Sequence, residues 1–255
     1  MKLYRETRGA GPDLVLLHGW GLNLAVWQSL STALAAHYRV TLIDLPGHGA
    51  SPAAESADPQ DWARACLAVA PPSAHWIGWS LGGQLSLQAA LQAPDRVVGL
   101  SLFATTPRFV RAADWNLAMP QATFTAFAKS LDSEPDAALL RFLSLQMQGD
   151  EHGRNTLRQL RAGMGRRPSA SATGLNRGLA LLQTTDLRAH LAAIPCPQQW
   201  LFGERDTLVP IALADWIHHQ LPAARLVRIA RAGHAPFLSH SQACLGYLRE
   251  AIHSG

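Results

Sequence analysis

One serine of the chain has neighbours that are typical of an activated nucleophile. The segment Gly78-Trp79-Ser80-Leu81-Gly82 matches G-x-S-x-G, in which a serine hydroxyl stands on a sharp turn between a strand and a helix. Glycines at the flanking positions remove the clashes that larger side chains would cause there. The letters alone are weak evidence, since an ordinary Gly/Ser turn has the same pattern. An apolar stretch before the motif and a helix-like stretch after it favour a nucleophile, so we predict that Ser80 attacks an acyl carbon.

A nucleophilic serine needs a base and an acid that orients the base, and both follow along the chain. His234 lies in a glycine- and proline-flanked loop after the last predicted strand, and we predict that it accepts the serine proton. Asp206 follows another predicted strand, and we predict that its carboxylate fixes the tautomer of His234. The order serine, acid, histidine is the one expected for a serine hydrolase of this type. The local alternatives are Glu204 for the acid and His240 for the base.

A third requirement is a pair of backbone donors for the negative charge that develops on the attacked carbonyl oxygen. The first strongly apolar strand ends at His18-Gly19-Trp20, and Leu81 directly follows the serine. We predict that the N–H groups of Trp20 and Leu81 form this oxyanion hole. A simple His-Gly turn is the alternative, and we interpret His18 as shaping the loop rather than transferring protons.

The elements that must position these residues alternate in a regular way. Short apolar runs alternate with longer helical patterns, which predicts an α/β fold with a mostly parallel central sheet and helices on both faces. The predicted strands are 14–17, 39–44, 74–77, 97–103, 198–202 and 225–229. The predicted helices are 27–37, 61–69, one that follows the segment 78–83 and runs to about residue 92, 211–220 and a last one from residue 242.

The alternation is interrupted between about residues 107 and 185. Apolar residues there recur at helical spacing, and arginine-rich stretches separate them. We therefore predict a helical lid at 108–185, inserted between core segments 1–107 and 186–255.

Composition excludes several other classes of protein. A formal net charge of +4 without a dense Lys/Arg block argues against nucleic-acid binding. Three dispersed cysteines, Cys66, Cys196 and Cys244, argue against a disulfide framework or a zinc site. No apolar run approaches the roughly 20 residues of a membrane-spanning helix, and no signal stretch opens the chain. We expect a cytoplasmic monomer that needs neither cofactor nor metal.

Four motifs together resemble one family of the α/β-hydrolase superfamily. These are residues 16–21, 44–49, 78–83 and 232–237, and the tryptophans at 20 and 79 narrow the match. The chain is similar through nearly its whole length to the pimeloyl-[acyl-carrier protein] methyl ester esterases, the carboxylesterases of biotin synthesis. The resemblance implies an α/β-hydrolase fold and removal of the methyl group from a pimeloyl methyl ester held by an acyl carrier protein.

The resemblance also implies roles for individual residues. The triad would be Ser80, Asp206 and His234, and the oxyanion donors would be Trp20 and Leu81. The residues that it implies for substrate contact are Trp20, Ser80, Leu81, Phe142, Leu143, Ser144, Leu145, Gln146 and His234.

Lid arginines hold the acidic carrier protein in this family, and Arg141, Arg154 and Arg158 match those positions. Arg154 and Arg158 are one helical turn apart and share a face. Ala137 stands where a further arginine is expected, and Arg161 is the candidate to compensate. A solvated helix face is the alternative interpretation of these charges.

Two other functions stay open from the sequence. A general short-chain carboxylesterase or lactonase would use the same triad without carrier specificity, and a haloperoxidase-like side activity is compatible with it. A non-catalytic binding module would not need all three triad residues. Dehalogenases and epoxide hydrolases are disfavoured, since they have Asp at the position of Ser80.

Overall fold

A seven-stranded sheet forms the centre of the computed structural model, which describes residues 1–165 and 167–253. The strand order is β1-β3-β2-β4-β5-β6-β7, and every neighbouring pair is parallel except β1 with β3. The strands are β1 (Arg5–Arg8), β2 (Asp13–Leu17), β3 (Arg39–Ile43), β4 (Ala74–Trp79), β5 (Val97–Phe103), β6 (Gln198–Gly203) and β7 (Arg225–Ile229).

Helices cover both faces of the sheet, as predicted. They are α1 (Gln28–Leu34), α2 (Pro59–Val69), α3 (Leu81–Gln92), α4 (Gln121–Ser133), α5 (Pro135–Gln146), α6 (Gly153–Met164), α7 (Ala172–Thr184), α8 (Leu213–Gln220), α9 (Pro236–Ser239) and α10 (Ser241–His253). Short 3₁₀ helices occupy Leu24–Trp27 and Arg188–Ala193.

The apolar core has two parts because successive side chains of a strand point to opposite faces of the sheet. In β2, Val15 and Leu17 belong to one buried cluster, and Leu14 and Leu16 belong to the other. Strand β4 is buried along its whole length, as expected for a central parallel strand. The carboxyl ends of the parallel strands therefore meet at one edge that the core holds rigidly.

The strand missed by the sequence is β1. Its residues are polar and at most half-buried, so they carry no apolar alternation, and the strand is defined by backbone pairing of Arg5 with Ile43 through Arg8 with Val40. Charged residues on an edge strand discourage pairing with another chain. The predicted helix 27–37 was also too long, since it begins with a 3₁₀ turn and α1 ends at Leu34.

Helices α4 to α7 occupy the stretch between β5 and β6 for which the sequence predicts a helical insertion. Before α4 the structure has two isolated bridges, Val110 with Met119 and Ala112 with Trp115. The lid bounds 108–185 and the core segments 1–107 and 186–255 remain predictions. Residues 166, 254 and 255 fall within them and lie outside the described residues. None of the described helices is both long and apolar enough to cross a membrane.

Candidate active site

Ser80 stands on a strained turn between β4 and α3. Its φ of +54° and ψ of −117° are rare for a residue with a side chain. A Cβ at Gly78 would lie 2.5 Å from the Cα of Gly83, and one at Gly82 would collide with the carbonyl oxygen of Leu17. These clashes explain why both positions require glycine. The two glycines permit a turn that presents the serine hydroxyl at the carboxyl edge of the sheet.

Asp206 lies in the loop after β6, with one carboxylate oxygen fully occupied by the backbone. Its Oδ1 accepts hydrogen bonds from the N–H groups of Leu208 and Val209 at 2.8 and 3.0 Å. These bonds leave Oδ2 directed to the neighbouring loop, and the side chain is 1% exposed. Glu204, the alternative acid, is exposed, and its Oε2 accepts from the backbone N–H of Arg231 at 3.4 Å.

His234 lies in the loop after β7 and is held on three sides. Its Nδ1 is 2.8 Å from Oδ2 of Asp206. Its backbone N–H donates to the carbonyl oxygen of Gln146 at 3.0 Å, and its own carbonyl accepts from Nε1 of Trp79 at 2.8 Å. Because Trp79 directly precedes Ser80, this last bond fixes the histidine loop to the strand that carries the serine.

The free nitrogen of His234 has the chemistry of a base. With Asp206 accepting a hydrogen bond from Nδ1–H, Nε2 is the acceptor nitrogen of the ring. Nε2 is buried and has no hydrogen-bond partner among the described residues. His240, the alternative base, contacts Glu151 and Ser239. In the pair of His234 and Asp206, the imidazole can accept a proton and the carboxylate can stabilise the resulting positive charge.

The predicted oxyanion donors lie at the ends of the two elements next to the serine. Leu81 is the first residue of α3, so its N–H has no partner within the helix. The N–H of Trp20 likewise has no hydrogen-bond acceptor in the described chain. Both groups are thus available to a ligand at the carboxyl ends of β2 and β4.

His18 orients the peptide that carries one of these donors. Its Nε2 accepts from the N–H of Leu45 at 3.0 Å, and its Nδ1 lies 2.8 Å from the carbonyl oxygen of Gly19. Complete burial lowers the pKa of His18 to about 4, so the ring is neutral and Nδ1 carries the proton. Since C=O and N–H of one peptide point in opposite directions, anchoring the carbonyl of Gly19 directs the N–H of Trp20 away from His18.

The side chain of Trp20 joins this loop to the helical insertion. Its ring makes edge contacts with Phe127 of α4 and Phe142 of α5, with centroids 5.4 and 5.1 Å apart. Its Nε1 donates to the carbonyl oxygen of Leu175 in α7 at 2.9 Å. Three helices therefore converge on one residue of the oxyanion loop. Sequence reasoning missed Phe127, although its helical spacing marked it as apolar and inward-facing.

The segment predicted to contact substrate divides between the two sides of α5. Phe142, Leu143 and Gln146 are buried, and the backbone of Gln146 supports His234. Leu145 is half-buried and lines a cavity of about 450 Å³ between α4 and α5. Ser144 is exposed, and its hydroxyl donates to the carbonyl oxygen of Leu140 within the helix, so it is directed away from the buried side.

The four arginines predicted to dock a carrier protein are exposed on α5 and α6. Arg154, Arg158 and Arg161 share one face of α6 by helical periodicity. Arg158 donates to Asn155 at 2.7 Å, and Arg141 pairs with Glu134 at 3.4 Å, so these two are partly engaged. The exposed face of α6 therefore carries three arginines.

Ser80 and His234 are 8% and 1% exposed, so both residues are buried. Sequence reasoning also missed Asp150, whose Oδ2 accepts from the N–H of Gly233 at 2.7 Å. That contact joins the α5–α6 loop to the histidine loop. No local pattern signals it, because an acid at a helix start is ordinarily a cap.

Comparison with known proteins places these features in context. Residues 12–241 match the family described as "alpha/beta hydrolase fold". The pimeloyl-[acyl-carrier protein] methyl ester esterase of Chromobacterium violaceum is 43% identical over 252 residues, covering 99% of this chain and 98% of that one. The protein of the same name from Nitrosomonas europaea is 42% identical over 93% of this chain and 94% of its own.

Among solved structures, an esterase from Exiguobacterium antarcticum superposes with a TM-score of 0.88. It covers 98% of this chain and 95% of its own, at 22% sequence identity. At that identity the similarity shows a shared fold.

Proposed function

Since this chain belongs to the α/β-hydrolase family and, within it, to the pimeloyl-[acyl-carrier protein] methyl ester esterases, we propose that it removes the methyl group from a pimeloyl methyl ester carried by an acyl carrier protein. The reaction releases methanol and frees the distal carboxylate of the pimeloyl chain.

The observation that best supports this chemistry is the hydrogen bond between Asp206 and His234, whose loop is bonded through Trp79 to the strand that ends at a serine on a strained turn. A carboxylate on Nδ1 holds the imidazole in the tautomer whose Nε2 accepts a proton. A binding module would have no use for a buried imidazole with an unpaired nitrogen.

In the first half of the reaction, Oγ of Ser80 attacks the ester carbonyl carbon while Nε2 of His234 accepts the hydroxyl proton. The carbonyl oxygen becomes negatively charged and accepts hydrogen bonds from the N–H groups of Trp20 and Leu81. Such donors typically stabilise the transition state by about 3–4 kcal/mol each. When the tetrahedral intermediate collapses, the bond to the methoxy oxygen breaks, and His234 donates its proton to that oxygen, so that the group leaves as methanol.

In the second half, water attacks the carbonyl carbon of the acylated Ser80, and His234 accepts a proton from that water. The bond to Oγ breaks, the proton returns to Ser80, and the pimeloyl carboxylate leaves. Asp206 stays ionised throughout and stabilises the imidazolium in both halves.

The insertion supports specificity for a long acyl chain on a carrier. The cavity between α4 and α5 is lined by Phe127, Phe142 and Leu145, with Arg141 among its lining residues. Apolar walls suit methylene groups. We place the carrier protein against the arginine face of α6, because an acidic partner would be attracted to that surface.

The deciding experiment is mass spectrometry of a carrier protein loaded with the pimeloyl methyl ester, before and after incubation with the enzyme. Loss of one methylene unit in mass supports the proposal, and Ser80→Ala is the control that must leave the mass unchanged. Comparison of kcat/KM for this substrate with kcat/KM for the same ester on free pantetheine measures the specificity for the carrier protein. Equal kcat/KM for both substrates would indicate a general carboxylesterase without carrier recognition.

A further inference from the structure

A cluster of three metal-ligating side chains lies outside the candidate active site, where the α5–α6 loop meets the end of α9. Glu151 and His152 belong to that loop, and His240 follows α9. One donor atom from each lies within 4.8 Å of the other two. The cluster is therefore contributed by two separate segments of the chain that converge in space.

The spacing of the donors is close to that of a tetrahedral zinc site. Nε2 of His240 is 3.0 Å from Oε1 of Glu151, and Nε2 of His152 is 3.8 Å from the same oxygen. With bonds of about 2.0–2.1 Å to nitrogen or oxygen, tetrahedral geometry separates donor atoms by about 3.3–3.4 Å. Small side-chain rotations would bring all three donors to one ion, because His152 is exposed and free to adjust.

The surroundings also orient the donors. Nδ1 of His240 is 2.8 Å from Oγ of Ser239, which can accept a hydrogen bond from Nδ1–H while Nε2 binds a metal. A partner on the second nitrogen is what ligating imidazoles in proteins ordinarily have. Arg231 pairs with Oε2 of Glu151 at 3.3 Å, which leaves Oε1 directed to the two imidazoles.

We propose that Glu151, His152 and His240 bind one divalent ion of the zinc class, with water as the fourth ligand. Two imidazoles and one carboxylate are donors that suit Zn²⁺ and Co²⁺. The ion would fasten the α5–α6 loop to the segment after α9. The backbone of Glu151 already donates to the carbonyl oxygen of Arg231 at 3.1 Å, so the ion would reinforce an existing contact beside the loop of His234.

The sequence did not predict this site because its donors have no recognisable spacing. Glu151 and His240 are 89 positions apart, and adjacent Glu and His residues are common on exposed loops. The expectation that the protein needs no metal rested on its cysteines, none of which takes part.

The test is a titration of tag-free, EDTA-treated protein with Co²⁺, followed by displacement with Zn²⁺. A tetrahedral Co²⁺ site gives intense visible absorption, and the proposal predicts saturation at one equivalent. His240→Ala and His152→Ala should each weaken binding at least tenfold. Ser239→Ala should weaken it by a smaller factor, because it removes only the partner of a ligand.

Two control variants identify other binding modes. His218→Ala changes one of two adjacent exposed histidines on α8 and should leave the titration unchanged. Cys196→Ser removes the half-buried thiol and should also leave the titration unchanged, because burial raises the pKa of this thiol to about 11. The variants are compared only after circular dichroism shows a native fold.

Thermal unfolding provides a second readout that is independent of the spectrum. A ligand that binds only the folded state raises Tm. Zn²⁺ should raise the Tm of the wild-type protein and of His218→Ala, but not that of His240→Ala. Absence of saturable binding at one equivalent, or binding by His152→Ala and His240→Ala that is as tight as in the wild-type protein, would show that these residues form only an ion-pair network.

Discussion

The backbone N–H of His234 donates to the carbonyl oxygen of Gln146 at 3.0 Å. Gln146 is the last residue of α5, so the proposed base is held by the helical insertion as well as by the core. Asp150, four residues after Gln146 and in the α5–α6 loop, adds a second connection by accepting a hydrogen bond from the N–H of Gly233. The position of the imidazole therefore depends on how the insertion is seated.

Loss of the Asp150 carboxylate tests this dependence. Asp150→Ala removes the acceptors of the N–H groups of Gly233 and His152. We expect the free energy of unfolding to fall by about 1–2 kcal/mol. We also expect kcat for a p-nitrophenyl ester to fall by between about tenfold and 10²-fold, because a small displacement of the base is costly. Asp132→Ala, which removes an exposed acid from α4, is the control, and equal effects of both variants would contradict the prediction.

Replacement of the proposed acid tests its role in orienting the base. Asp206→Asn keeps the shape of the side chain but favours the wrong tautomer of His234, and kcat should fall by roughly 10³–10⁴-fold. Glu204→Gln changes the neighbouring acid in the same loop and should retain near-native kcat. The measurement is steady-state kinetics with a p-nitrophenyl ester. A near-native kcat for Asp206→Asn together with a large loss of kcat for Glu204→Gln would contradict the assignment.

Charge reversal on α6 tests the docking face. Arg154→Glu combined with Arg158→Glu should lower kcat/KM for the carrier-bound ester at least tenfold at low salt. The loss should shrink as salt is added, since the Debye length falls from about 30 Å at 0.01 M to about 10 Å at 0.1 M. The same change of charge at Arg64 and Arg249, outside the insertion, should have little effect on kcat/KM for the carrier-bound ester. Equal losses on a small free ester would indicate misfolding instead.

Three buried histidines should make the fold sensitive to mild acid. Burial lowers the pKa of His18 and His75 to about 4 and that of His48 to about 3. Between pH 6.5 and 4 the unfolded chain binds protons that the folded chain does not. Stability is therefore lost as the pH falls through this window, by on the order of 1 kcal/mol per pH unit for a single histidine.

His75→Gln isolates one of these contributions in urea unfolding at several pH values. Nε2 of His75 contacts Oγ of Ser101 at 2.9 Å, and glutamine can replace that hydrogen bond. The variant should lose less stability between pH 6.5 and 4 than the wild type, by on the order of 1 kcal/mol per pH unit. His190→Gln, at an exposed position, should follow the wild type. An unchanged pH dependence in His75→Gln would refute the prediction.

The sequence predicted the parallel core well because buried strands carry mostly apolar runs, as 14–17 and 97–103 show. It failed at β1, where the strand is defined by backbone pairing and its side chains are polar. The order of Ser80, Asp206 and His234 was readable because each follows a strand of a parallel sheet. The support given to His234 by the carbonyl of Gln146 was not readable, since every residue has a carbonyl group.

Contacts within the insertion were equally beyond the sequence. Phe127 and Phe142 are stacked with centroids 5.1 Å apart, yet their spacing along the chain indicates only that both helices have an apolar face. Ser144 shows a limit of the family resemblance. The resemblance implied substrate contact for the whole segment 142–146, but this segment has residues on both sides of a helix, and Ser144 is on the exposed side.

The most direct test of the proposed chemistry is to locate the nucleophile by labelling with a fluorophosphonate, followed by proteolysis and peptide mass spectrometry. The account predicts one adduct per chain, on Oγ of Ser80, absent from Ser80→Ala and formed far more slowly in His234→Gln. An adduct on a different residue, or no adduct on the folded wild-type protein, would contradict it.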